Sequence, residues 1–405
     1  MKYIATNIIT PISSDRYEYI TDCWLGIENG IIAVITKQAP QSDWLEKRDC
    51  LCLPGLIDSH VHLSQFDIRG YRSPELLQWL HRYVFPAELL SLKTDYALDI
   101  AERFYLAALS KGTTTTVVYT SPFKSACEAT FQVAEKLQVR SIIGMTMMNQ
   151  NCPEYLKQDT YDALADSVAL CEKWQNKGLL DYIFSPRFAI TCTETLLRET
   201  GNLAKEYSAR IQSHLAENHN EIEQVNNLFP QFDSYTDTYY QCGILGNRTI
   251  MGHAIHLHQP EIELLRNTDT RIAFCPDSNF FLKSGKFPFW KLIASGIKTA
   301  LASDVGAGTD LSMFQMMKMA DYTVSEKGLN PANALYYSTL AAAEVIGLKD
   351  KIGSIETGKE ADLIFIERNE HLTADIDLEL SQTIFLNQEL QLDSTWVKGR
   401  ELFRK

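Results

Sequence analysis

The sequence predicts an α/β protein: a (β/α)8 TIM barrel carrying a small β domain assembled from the N- and C-terminal segments. Three observations lead there. Eight short apolar runs alternate with amphipathic stretches through the middle of the chain, β-like runs broken by turn residues occupy both ends, and chemically capable side chains fall at the C-terminal ends of the apolar runs. With 405 residues the chain has room for a large barrel and an appendage. A doubly wound sheet is the alternative, and eight regular units without a Gly-rich phosphate fingerprint speak against it.

Over residues 1–52 the runs YIATNII, YITDCWLGIE and GIIAVIT read as strands separated by turns, and no long helix fits. The barrel is expected over residues 53–352. Its strands are GLIDSHVH, TTTTVVYT, VRSIIGMT, DYIFSP, RIQSHL, RTIMGH, RIAFC and IKTALASD. Between them SACEATFQVAEKLQ, YDALADSVALCEKWQ and TETLLRETGNLAKEYSA space apolar residues by three and four, the period of an amphipathic helix. MFQMMKMA reads as a Met-rich helix face packed on the barrel or on a second copy. Residues 353–405 resume the N-terminal style, with ADLIFIE, TIFLN and STWVKGRELF as strands able to pair with it.

A formal net charge of -13 excludes a nucleic-acid backbone or an anionic membrane surface as the main partner, and leaves a small neutral substrate compatible. No apolar stretch has the length of a signal-peptide core or a bilayer span, so a soluble cytoplasmic protein is expected. The nine cysteines are scattered without CxxC pairs, as reduced and largely buried thiols would be.

The segment LPGLIDSHVHL ends in His60 and His62. Two apart on an extended strand, both imidazoles project to one face and can reach one ion. Alone they would more often be histidines of a buried strand that find hydrogen-bond partners there. The rest of the rim decides: Arg187 lies just beyond strand four, His214 at strand five, His253 at strand six and Asp304 at strand eight. Imidazoles with a carboxylate suit a borderline divalent ion, Zn2+ first, with Fe2+ or Mn2+ as alternatives, and water on such an ion is a nucleophile.

The order PGLIDSHVH, SHLAEN, MGHAIH and LASDVG resembles the amidohydrolase superfamily. HVHLSQ, LLQWLHRYVFPAE, MNQNCPEYL, SPRFAITCT, HLAENHNEI, CPDSNFFLKSG and SDVGAGTDLSM resemble its guanine deaminase family, over residues 53–348. The resemblance implies hydrolysis of guanine to xanthine and ammonia by a homodimer, with His60, His62, His214 and Asp304 as metal ligands and Glu217 as proton shuttle. It places Gln65, Arg187 and Phe188 against the purine, in a pocket shared with His62, His214, Glu217 and Asp304. No lysine follows strand four in SPRF to bridge two ions, so one ion per chain is expected. The chemistry assigns Asp304 to orienting the water and relaying a proton to the leaving ammonia, and His253 to stabilising developing charge.

Each residue also has a structural explanation. Glu217 could be a helix N-terminal acid, Arg187 a salt-bridge partner, Gln65 a surface polar group and Phe188 a core aromatic. Two positions depart from the family pattern: Ala216 where serine is usual, and Ala307 in a loop usually richer in glycine. His81, His219 and His371 have no constellation, His256 and His258 read as helix-start surface residues, and Asp277, Ser278 and Asn279 read as a loop that lines the pocket or caps the next helix. The glycines of SDVGAGTD lack the ending of a phosphate loop and suit a tight turn beside the site. Deaminases or chlorohydrolases acting on a pterin, triazine, cytosine or adenosine derivative are the neighbouring alternative; a non-catalytic scaffold on the same barrel is the alternative of another class.

Overall fold

A computed structural model describes residues 1–73, 75–324, 327–368 and 375–405, so that His371 lies outside the described residues. The N-terminal strands are β1 (Lys2–Ser13), β2 (Arg16–Glu28), β3 (Ile31–Thr36) and β4 (Trp44–Pro54). The barrel follows as β5 (Leu56–His62), β6 (Thr113–Tyr119), β7 (Arg140–Gly144), the two-residue β8 (Thr146–Met147), β9 (Leu180–Pro186), β10 (Arg210–Leu215), β11 (Thr249–His253), β12 (Arg271–Phe274) and β13 (Thr299–Leu301). The chain closes with β14 (Leu363–Glu367), β15 (Leu392–Val397) and β16 (Arg400–Arg404).

All eight anticipated barrel strands form, parallel and in the order β5-β6-β7-β9-β10-β11-β12-β13, with β8 beside β9. The three amphipathic segments are the helices Lys124–Leu137, Thr160–Trp174 and Glu194–Glu206. Asp159 and Thr193 accept backbone N–H groups at the starts of the last two, satisfying donors that a helix end leaves free. The Met-rich segment is the helix Met313–Thr323, which buries Met313, Met316 and Met317. Those three thioethers pack within the chain, and Met319 is half-buried.

Inside the barrel, Ile57, Val117, Ile142, Ile183, Ile250, Ala273 and Ala300 form one apolar cluster with Ala342, Ala343 and Ile346. The helix Leu340–Val345 thus plugs the N-terminal mouth, where Arg210 and Arg271 donate to its last carbonyls and to Ile346. At the opposite end β5 carries a bulge: Asp58 pairs with Thr116 and Val61 with Val118, three steps against two. The extra residue re-aims the strand, so Ile57 joins the interior cluster while His60 and His62 both meet the Tyr119 ring.

The terminal strands form a second sheet, ordered β16-β15-β14-β4-β1-β2-β3, antiparallel except where β1 runs parallel to β4. One expectation fails here. TIFLN is no strand but the end of the helix Ile376–Phe385, started by Asp375 accepting the Asp377 N–H. Leu380 and Ile384, four apart, are its buried face, a spacing that a five-residue apolar run cannot reveal. All nine cysteines are free thiols, and among the described residues no helix is long and apolar enough to cross a membrane.

Arg140, at the start of β7, reaches out of the barrel to Asp362 (2.8 Å) and Glu360 (2.5 Å) just before β14. Arg140 and Asp362 are both buried. Removing one member strands a charge away from water, so Arg140→Ala should cost about 3–5 kcal/mol in urea unfolding, and replacing Arg140 and Asp362 together by apolar residues should cost less.

Candidate active site

The C-terminal rim gathers the polar residues that the strands carry. His60 and His62 end β5, His214 lies in β10, His253 ends β11, and Asp304 follows β13. His60 Nε2 is 3.3 Å and His62 Nε2 3.5 Å from Asp304 Oδ1, and His62 Nε2 lies 3.0 Å from His214 Nε2. His253 Nε2 stands on the other side of the cluster, 3.5 Å from Glu217 Oε2 and 3.8 Å from Asp304 Oδ2. Five candidate ligands therefore converge, with Glu217 at their edge.

The backbone that presents them is held in an uncommon conformation. Ala216, His253, Ala254 and Asp304 have φ of 47°, 68°, 51° and 49°, the left-handed region that costs a non-glycine residue of order 1 kcal/mol. Hydrogen bonds compensate. Ala254 N–H donates to the Leu215 carbonyl at 2.7 Å, the Ala216 carbonyl accepts from Ile255 and His256, and the Asp304 carbonyl accepts from Gly308. The turns that carry His253 and Asp304 are thereby held by backbone bonds of their own.

Orientation of the rings comes from a surrounding layer of partners. His214 Nδ1 bonds to the Arg187 carbonyl at 2.7 Å, which turns Nε2 toward His62. His253 Nδ1 bonds to Asn279 Oδ1 at 2.9 Å. Ser284 Oγ donates to Glu217 Oε1 at 2.7 Å, while the Glu217 N–H is taken by the buried Glu221 carboxylate. Asp277, Ser278 and Asn279 thus lie in a short helix, Pro276–Phe281, rather than a loop, and only Asn279 of them bonds to the cluster.

A cavity opens over this cluster. His62, His214, His253, Glu217 and Asp304 form one wall; Gln65, Arg187, Phe188, Trp79, Leu80 and Leu282 contribute to the rest. Arg187 lines it and also makes the ion pair that its sequence allowed: Nη1 donates to Glu88 Oε1 at 2.7 Å and Oε2 at 3.0 Å. Gln65 Nε2 donates to the same Oε1 at 3.1 Å. Glu88 is fully buried and was not singled out from the sequence. Its signal was there, an acid inside the apolar stretch FPAELL, but its partners are 23 and 99 residues away.

Among the histidines set aside, His219 and His256 stack on each other with centroids 3.9 Å apart, away from the cluster. His256 is half-buried, its Nε2 bonded to the Ser284 carbonyl, and so is less exposed than a free surface residue. His258 begins the helix Gln259–Asn267 as its capping residue.

Burial holds His60, His62 and His214 in their neutral forms by pushing their pKa values down, well down for His62 and His214. His253 is buried too, but the Glu217 and Asp304 carboxylates outweigh that desolvation and raise it. Glu217 is raised by burial, whereas Asp304, despite its burial, is held at about 2 by the His60 ring 3.3 Å from its Oδ1 and by the other imidazoles around it.

The donor set fits a divalent cation. Among the described residues, neither nitrogen of His60 and not the Nδ1 of His62 has a hydrogen-bond partner, although all are buried. Neutral imidazole nitrogens facing one another at 3.0 Å beside a carboxylate repel unless a cation or a proton lies among them. His60, His214, His253 and Asp304 offer ligand atoms all within 4.8 Å, and His62 adjoins two of them.

The pattern of the Amidohydrolase family matches residues 51–402. The chain belongs to that family. Within it, it is 33% identical to the guanine deaminase of Escherichia coli (strain K12), over 88% of this chain and 84% of that one, and 30% identical to the guanine deaminase of Pongo abelii, over 95% and 93%. A crystal structure of guanine deaminase from C. acetobutylicum with guanine bound in its active site has the same fold, with TM-score 0.94 and 29% identity over 99% of this chain and 100% of that one. Guanine deaminases are therefore this amidohydrolase's relatives across bacteria and animals.

The two departures in this amidohydrolase lie differently. Ala307 lines the cavity, while Ala216 is buried at the strained turn before Glu217 and its carbonyl holds two N–H groups. Gly252, beside His214 in the β10–β11 register, has a stricter duty: a Cβ there would stand 2.8 Å from His60 Cε1. Gly252→Ala should displace that ring and weaken divalent-metal binding by about 10–100-fold, measured by competition with a chelating dye, while the melting temperature of the metal-free protein changes little.

Proposed function

We infer that this amidohydrolase is a guanine deaminase that converts guanine and water to xanthine and ammonia. The observation that carries the reading is that one cavity is lined both by the His/Asp/Glu cluster and by Gln65 and Arg187, which suit an amide-like purine edge. Descent supports it, at 33% identity over most of the chain. A scaffold without catalysis would have no need of a buried Glu217 beside four histidines.

We assign His60, His62, His214 and Asp304 to the metal, with one Zn2+ per chain as the ion. His253 is left to the water rather than the ion, its Nε2 facing the Glu217 and Asp304 carboxylates at 3.5 and 3.8 Å. When bound, the ion lowers the pKa of water and so supplies a nucleophile near neutral pH.

The chain's own residues then handle the protons. Guanine seated with its 6-oxo edge on Gln65 and Arg187, and its ring against Phe188, presents carbon 2 to the cluster. Glu217, with its raised pKa, takes a proton from the attacking water and gives it to ring nitrogen 3 as the oxygen–carbon 2 bond forms. Asp304 relays the second water proton to the amino group; the carbon–nitrogen bond breaks and ammonia leaves. His253, beside both carboxylates, faces the charge that develops on the oxygen at carbon 2. The same proposal takes the protein to be a cytoplasmic homodimer.

Ammonia release from guanine, with metal content measured on the same sample, tests the reading; a metal-loaded protein that leaves guanine unchanged overturns it. Glu217→Gln should retain the metal and lose turnover by about 10²–10⁴-fold. Arg187→Ala should raise KM for guanine without loss of metal, and unchanged kinetics would reduce Arg187 to a structural ion-pair partner.

A further inference from the structure

We propose that Glu88 is a positioning residue that makes the site selective for 6-oxopurines over 6-aminopurines, by locking the amide of Gln65 and the guanidinium of Arg187 in one orientation. The inference rests on the guanine reading above and adds to it the source of edge selectivity.

The argument begins with an amide that could point either way. Gln side chains interchange donor and acceptor by a half-turn of the terminal amide, so Gln65 alone could serve an oxo or an amino edge. A carboxylate only accepts. With Glu88 Oε1 3.1 Å from one end of the Gln65 amide, that end must be the NH2 group, and the carbonyl oxygen is the end left for the cavity. Arg187 is tied by Nη1 to both oxygens of the same carboxylate, and its guanidinium lies 5.5 Å from the centre of the Phe85 ring, one helical turn before Glu88. Its remaining N–H groups can only donate.

The wall so fixed offers an acceptor from Gln65 beside donors from Arg187. A lactam edge, with a ring N–H donor next to a carbonyl oxygen, matches it. A 6-aminopurine edge reverses the pattern, setting an unprotonated ring nitrogen against the Gln65 oxygen and an amino group against the guanidinium, so that buried polar groups on both sides go unpaired. Without Glu88 the amide is free to turn, and the penalty against the amino edge falls. Full burial suits this duty: with no water to compete, the carboxylate keeps the amide in one state.

The probes are hypoxanthine and adenine, neither of which carries the amino group at carbon 2 that the reaction removes. Their inhibition constants against guanine deamination should differ by at least about tenfold in favour of hypoxanthine in the metal-loaded wild type. Glu88→Met, of similar length but without an acceptor, should narrow the ratio at least about tenfold and raise KM for guanine more than it lowers kcat, with metal content unchanged. A purely structural loss would lower the active fraction and weaken both inhibitors alike, leaving the ratio as it was. Where Glu88→Met does not fold, Glu88→Asp carries the same measurement, since it keeps a charge for Arg187 but draws the carboxylate back from Gln65. A wild-type ratio preserved in the folded variant overturns the role of Glu88. A metal-loaded wild type that neither deaminates guanine nor binds hypoxanthine overturns the parent reading instead.

Discussion

Closure of the barrel between its first and last strands is the constraint on which the rest depends. β5 and β13 meet through Ser59 Oγ donating to the Leu301 carbonyl (2.9 Å) and the Ser303 N–H donating to Asp58 (2.9 Å), then, past the end of β13, through Asp304 N–H to the His60 carbonyl (2.9 Å) and His62 N–H to the Val305 carbonyl (2.5 Å). The last two bonds are made by the backbone of three proposed ligands. Closing the sheet and assembling the cluster are therefore one event, and residues 242 apart in sequence are brought into contact by the same bonds that complete the fold.

That arrangement has an electrostatic cost, which the fold bears locally. Asp58, fully buried beside Asp304, is pushed up to about 7 by desolvation even though Ser303 and the His60 N–H donate to it. Three imidazoles are kept neutral by burial, and several of their nitrogens have no protein partner among the described residues. Such a cluster lowers the stability of the fold unless something binds it, which is how sites organised for function differ from cores organised for packing. The left-handed turns at Ala216, His253 and Asp304 point the same way, since strain persists only where the surroundings over-determine it.

Much of this was legible in the sequence, for identifiable reasons. The barrel strands showed because interior residues such as Val117, Ile142 and Ile250 sit in short apolar runs between amphipathic helices, and the rim histidines showed because strand ends are where such barrels place their chemistry. TIFLN misled because five apolar-rich residues fit a strand or the last turn of a helix equally. The bulge in β5 left no mark, since HxH on a regular strand already puts both rings on one face; only the pairing with β6 reveals that the interior parity changes at Asp58. Glu88 stayed hidden because its meaning lies in partners distant in sequence, and a single acid in an apolar segment reads as an amphipathic surface position.

Arg187 joins the two halves of the site. Its carbonyl receives His214 Nδ1 and so aims a proposed ligand, while its guanidinium, fixed by Glu88, faces the wall where the purine edge is proposed to rest. Backbone and side chain of one residue thus tie a proposed ligand to the proposed recognition edge, and a rigid link of that kind is what would bring carbon 2, and no other ring atom, to the water. The residue after it, Phe188, is carried on the same extended backbone into the cavity lining. A shift of β9 by a fraction of an ångström would move ligand orientation and edge recognition together. It follows that much of the positional accuracy in this site resides in the strand ends and their mutual bonds, with Ser284 adding a hold on Glu217 from outside them.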